Sequence, residues 1–161
     1  MIEAPEIFAR VYSNHGHRCP MSTLGVRLGL AAVELGFAAE QGLRAVYHSR
    51  TCALDGIAQT LGCSEELGSL AVTTEGRHCL EVYATDGQVA EFTLSTNAMR
   101  IAGEFRQLSV ELEKEWDSLD EDAKSEREQR REAALDALLP GLWQAPTADL
   151  IDIRTGAAEK R

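Results

Sequence analysis

The sequence predicts an α+β fold, with helices packed on a mostly antiparallel sheet and a C-terminal helical extension. Three observations carry this. The first hundred residues mix helical periodicity with short alternating stretches containing Val, Tyr and Phe. Glu75-Gly76 and Asp86-Gly87 mark turns between those stretches. After residue 103 the chain is helical in pattern and dense in charge.

Taken in order, Pro5 to Ser13 reads as a short helix with Ile7, Phe8 and Val11 on its apolar face, broken by His15-Gly16-His17. Pro20 to Leu35 reads as a second helix. Leu24, Leu28, Ala31 and Leu35 recur at helical spacing, and Gly36 ends the pattern. Gly25 and Gly29 lie four apart on one side, which implies a neighbour packed close to the backbone. Leu43 to Ser49 alternates and reads as a strand. Ala53 to Leu61 is a third helix, stopped by Gly62. Leu70 to Thr74, His78 to Thr85, Val89 to Ser95 and Met99 to Ala102 read as strands.

Further on, Phe105, Leu108, Leu112, Trp116 and Leu119 mark one helix face. Ser118-Leu119-Asp120-Glu121 is a capping-box pattern that starts another helix. Asp120/Lys124 and Glu126/Arg130 support it at i,i+4 spacing. Leu135, Leu138 and Leu139 restore an apolar face before Pro140-Gly141 stops it. These helices read as scaffold or interaction surface. The expected organisation is a core of residues 1–103, a helical extension of the same domain over 104–154, and an unstructured tail over 155–161.

The 161 residues suffice for one domain with a substantial core. No stretch reaches 18 apolar residues, so no membrane span is predicted. The N-terminal segment has neither a basic n-region nor an apolar h-region, and a cytoplasmic location is the expectation. There the four cysteines are expected as thiols or metal ligands rather than disulfides. A formal net charge of −10 with no basic cluster argues against nucleic acid as a partner.

All four cysteines and all four histidines precede residue 80. Pro20 suits the first position of a helix, which places Cys19 at the N-cap. The positive helix end favours thiolate there. Cys52 falls near the start of the third helix, with Asp55 in its first turn, so two thiols occupy the same kind of position. His15 and His17 add nitrogen donors, and Gly16 lets the backbone bend between them. His17, Cys19 and Cys52 form a nitrogen/sulfur set suited to zinc or ferrous iron. Cys19 with Cys52 as a redox pair is the competing use of the same atoms. Cys63 and Cys79 read first as small buried hydrophobes, and His48 and His78 as packed or exposed strand residues.

The segments HGHRCPMSTLGVRLGLAAVELG and RTCALDGIAQTLGCS, followed by DGQVAEFTL, resemble the FmdE family of formylmethanofuran dehydrogenase proteins. The likeness is firm over about residues 7–102 and looser over ALLPGLWQAPTADLIDIR. The resemblance implies an α+β core that dimerises and a bound metal, commonly zinc. It also implies association with a molybdenum or tungsten redox enzyme. By position it points to His15, His17, Cys19, Cys52, Asp55 and Cys63. Met21 stands where the family usually has Gly, and Glu66 to Ser69 replace a lysine-containing stretch. No cysteine follows residue 79, so the zinc ribbon that some members carry has no counterpart here.

The expected function is a metal-binding accessory protein that handles metal or supports a larger redox enzyme. His17, Cys19 and Cys52 are the leading ligands, with His15 or Cys63 as a further one and Asp55 as an orienting partner. The alternative is an enzyme activating water at an open zinc position, with Asp55 or His15 as general base.

Overall fold

The computed structural model describes residues 2–157. Helix α1 (Glu6–His15) and helix α2 (Pro20–Glu34) lead into strand β1 (Arg44–Tyr47). Helix α3 (Ala53–Leu61) then crosses to β2 (Leu70–Val72), and β3 (Cys79–Tyr83) and β4 (Gln88–Leu94) form a hairpin. Helices α4 (Thr96–Glu113), α5 (Glu121–Gln144) and α6 (Thr147–Leu150) follow, and β5 (Ile151–Ala157) ends the described chain. The sheet order is β2-β1-β3-β4-β5. Among the described residues only β1 and β2 run parallel; the other three pairs are antiparallel. The architecture is α+β, as the patterning predicts.

One face of the sheet is apolar because of strand alternation. Ala45, Tyr47, Leu80, Val82, Ala90, Phe92 and Leu94 are all buried there. Helix α2 packs into the centre of the molecule, with Leu24, Val26 and Leu28 fully buried. Its contact with α3 is unusually close. A Cβ on Gly25 would lie 2.1 Å from the Ala53 carbonyl oxygen, and one on Gly56 would lie 2.4 Å from the Val26 nitrogen. No side chain fits at either position, so backbone meets backbone. This is the neighbour that Gly25 implies.

The C-terminal helices belong to the same core. Leu135, Leu139 and Leu142 of α5 join the central cluster. Arg27 of α2 is buried and caps the end of α5, donating to Leu142 O at 2.7 Å and Ala145 O at 2.6 Å. It thereby satisfies carbonyls that have no partner within a helix. The Trp143 indole donates to Tyr12 Oη at 2.9 Å, and Tyr12 Oη shares a 2.5 Å hydrogen bond with Thr23 Oγ1. Three helices are pinned together by that chain.

Four expectations need correction. Met99 to Ala102 is helix, not strand, because Ser95 caps α4 by accepting from Ala98 N at 3.1 Å. The helix carrying Phe105 ends at Glu113, since Glu115 takes a left-handed conformation (φ 55°) and reverses the chain before Trp116. The next helix is capped by Asp120, which accepts from Ala123 N at 2.8 Å, rather than by Ser118. Pro140 does not stop α5. Leu142 is buried beyond it, and Arg27 and Tyr12 hold its last turn, which outweighs the one lost backbone bond.

Strand β5 pairs with β4 from Ile151 opposite Leu94 to Ala157 opposite Gln88. It extends through Thr155, Gly156 and Ala157, into the stretch expected to be a tail; residues 158–161 lie outside the described residues.

Candidate metal centre

The HGHRCP segment links the end of α1 to the start of α2. His15 is the last residue of α1, and Gly16 caps it in a left-handed conformation (φ 97°) that a side chain would strain. The chain reverses there, which brings the His15 and His17 rings to 4.3 Å between centroids. Cys19 is the N-cap of α2 and accepts from Ser22 N at 3.4 Å, with Pro20 at the first helical position. Arg18 turns the other way. Its guanidinium donates to Asp136 Oδ1 at 2.7 Å and contacts Glu132 Oε2, so the segment is tied to α5.

Cys52 immediately precedes α3, although Thr51 does the capping: its Oγ1 accepts from Ala53 N at 3.2 Å. The close α2–α3 packing sets the two helix starts side by side. The ligand atoms of His15, His17, Cys19 and Cys52 consequently all lie within 4.8 Å of one another.

Three features make these residues suited to a cation. The first is His15. Its Nδ1 donates to Asp55 Oδ2 at 2.5 Å, which leaves Nε2 as the acceptor. That Nε2 is buried and has no hydrogen-bond partner. A buried lone pair held in place by a carboxylate on the far ring nitrogen is the arrangement of a liganding imidazole. The second is His17, whose pKa is held below the ordinary value by desolvation, by the His15 ring and by the Arg131 guanidinium. That shift favours the neutral ring, the form a metal requires. The third is the thiol pair. Burial pushes the Cys52 thiol up to about 11, and Cys19 and Asp55 beside it act in the same direction. Without a bound cation, desolvation and the neighbouring acidic groups act against the thiolate that the helix start favours at Cys52. A cation bound here would favour the Cys52 thiolate that burial disfavours.

Other expected residues fall elsewhere. Cys63 does not stand with the four; it is buried in the core, and burial pushes its thiol up to about 11. Cys79 is buried in β3 and donates to Glu91 Oε1 at 3.4 Å. His48 is buried and satisfied, with Nδ1 3.0 Å from Thr73 Oγ1 and Nε2 2.8 Å from Glu81 Oε1. Asp55 is engaged by His15 and so orients that ring rather than standing free. What the residue pattern missed is Arg18, whose link to α5 depends on partners more than a hundred residues away.

The geometry defines an α+β protein whose paired helix starts and adjoining helix end bring two imidazoles and two thiols together. The chain belongs to the FmdE family: the family model described as "FmdE, Molybdenum formylmethanofuran dehydrogenase operon" matches residues 14–152. The resemblance carried by HGHRCP and the downstream segments is borne out, and the match reaches through the C-terminal helices. A solved structure of a tungsten formylmethanofuran dehydrogenase FmdE-like protein from Syntrophus aciditrophicus is similar over 96% of this chain and 72% of its own. The TM-score is 0.57 at 22% identity, a likeness of fold. No curated protein matches the chain. Among the described residues no helix is long and apolar enough to cross a membrane.

Proposed function

We propose that this chain is a metal-binding accessory protein that holds one zinc ion through His15, His17, Cys19 and Cys52, with ferrous iron as the alternative ion. The observation that carries this is the buried, unpartnered Nε2 of His15 beside two thiols and a second imidazole. A nitrogen/sulfur set of this kind is borderline-soft, which matches zinc. Ligand atoms around a tetrahedral zinc lie roughly 3.3–3.8 Å apart. Side-chain shifts of about an ångström would bring the four into that range.

Each residue has a distinct role in this reading. Asp55 fixes the His15 tautomer and aims its Nε2. Cys19 and Cys52 give up their protons and supply the charge that neutralises the ion. Arg18 holds the segment between the two histidines and Cys19 against α5. Four protein ligands make a closed set, which favours metal handling or a structural ion over water activation at an open position.

Family membership supports service to a molybdenum or tungsten redox enzyme, and the resemblance extends this to a homodimer. The four free cysteines suit the cytoplasm, where thiols stay reduced.

The test is elemental analysis of protein purified without added metal, combined with scattering measurement of mass. About one zinc per chain is expected. Cys19→Ser and Cys52→Ser should lose it, while Cys63→Ala should keep it. Protein that fails to take up zinc or ferrous iron at neutral pH would overturn the reading. So would full retention of metal in the double serine variant.

A further inference from the structure

A cavity of about 350 Å³ lies beside the cluster. Cys19 and Cys52 form part of its wall, whereas His15 and His17 do not line it. Helix α4 supplies most of the remainder through Met99, Ala102 and Phe105, and Met21 joins them from the first turn of α2. This wall is apolar and soft, and its volume is that of a small-molecule site.

Two polar groups on the cavity lack partners. His78 lines it, and the Nδ1 of that ring is buried without a hydrogen bond. Buried polar atoms are nearly always paired, and this one, at the edge of the cavity, is not. Arg106 lines the same cavity, is exposed to solvent, and makes no ion pair among the described residues. In a chain of net charge −10, an unpaired guanidinium beside an apolar hollow stands out. Its fork matches a carboxylate or similar oxyanion.

We propose that this cavity binds a small organic anion with an apolar body, its charged head on Arg106 and its body against Met21, Met99 and Phe105. The inference deepens the metal reading, because the ligand would lie against the two liganding sulfurs. It rests on that reading only there, since the cavity wall exists with or without an ion.

Gly103 provides a clean perturbation. It lines the cavity, and a Cβ built on it meets nothing within 4 Å. Gly103→Phe therefore starts its side chain in open space on the cavity wall, where the ring is expected to occupy the hollow. The probes are phenylacetate, phenylacetamide and acetate, titrated into zinc-loaded protein by calorimetry. Phenylacetate should bind at one per chain and at least about tenfold more tightly than either other probe, because it alone offers both the apolar body and the charge. Arg106→Gln should weaken phenylacetate about tenfold and leave phenylacetamide unchanged. Gly103→Phe should abolish binding with zinc content and melting temperature retained.

Absence of phenylacetate binding in the millimolar range would overturn the proposal. Equal affinity for phenylacetate and phenylacetamide, or binding that survives Gly103→Phe, would do the same. Elemental analysis of the same samples keeps the two readings separate: phenylacetate binding by protein that takes up no zinc would sink the metal centre and leave the cavity assignment standing.

Discussion

Gly25→Ala tests whether helix packing builds the cluster. The new methyl group would sit 2.1 Å from the Ala53 carbonyl oxygen, 2.7 Å from its carbon and 2.8 Å from its Cα. All three are backbone atoms, so no side chain can swing aside. Restoring ordinary contact requires α2 and α3 to part by roughly 1 Å, an overpacking that costs about 1–3 kcal/mol. For a chain of this size that lowers the melting temperature by about 3–10 °C. The functional effect is more specific. Ala53 directly follows Cys52, and Cys19 heads the helix that is pushed away. A shift of about an ångström between the two sulfurs far exceeds the roughly 0.2 Å latitude in metal–ligand distance. Zinc affinity, measured by competition with a chromophoric chelator, should fall at least about tenfold, a 1.4 kcal/mol effect. Gly103→Ala, which enters open space within α4, should leave zinc affinity unchanged and, by helix propensity, raise rather than lower the melting temperature, and so serves as the control. Wild-type zinc affinity in Gly25→Ala protein with a lowered melting temperature would refute the claim that this packing positions the thiols. An unchanged melting temperature would refute the close packing itself.

Asp55→Asn should weaken zinc binding by about 10- to 100-fold while leaving saturable stoichiometry at one, since the amide orients His15 less well and adds no charge; a chelator titration reads both. Arg27→Met should destabilise the fold by about 2–3 kcal/mol in urea unfolding, because the carbonyls at the end of α5 lose their buried donor. Acid stability depends on Asp136, whose carboxyl is held below the usual range by the Arg18 guanidinium. A depressed carboxylate contributes stability above its unfolded-state pKa and loses it as pH falls through the folded-state value. Urea midpoints measured from neutral pH downward should therefore fall less steeply on the acid side for Asp136→Asn than for the parent, and identical acid limbs would contradict the link.

Much of the fold is legible locally. Pro20 after Cys19 announces the start of α2, and α3 runs from Ala53 to Leu61 as its pattern predicts. The hairpin strands follow from alternation around Asp86-Gly87. Strand β5 was not legible, because Asp152 and Arg154 interrupt its apolar residues and its partner strand lies far back in the chain. Helix α4 was not legible at its start, because Met99 to Ala102 reads as a strand and only the structure shows Ser95 capping a helix there. Pro140 carried a local stop signal that buried neighbours on both sides overrode.

The candidate site divides in the same way. HGHRCP and the Cys52 segment supply donors whose chemistry can be read residue by residue, and the helix starts at Pro20 and Ala53 follow from local propensity. Which donors meet is a matter of distance in space, and spacing along the chain could not rank His15 against His17 or exclude Cys63. The tertiary structure brings His15, His17, Cys19 and Cys52 together and leaves Cys63 in the core. Gly25 against Ala53 sets the two helix starts together, Asp55 reaches His15 across the gap, and Arg18 draws the intervening segment onto α5. Local sequence controls which atoms can bind a cation, because that depends on residue type and backbone turn. Whether they converge depends on packing between elements that only the complete fold brings into contact.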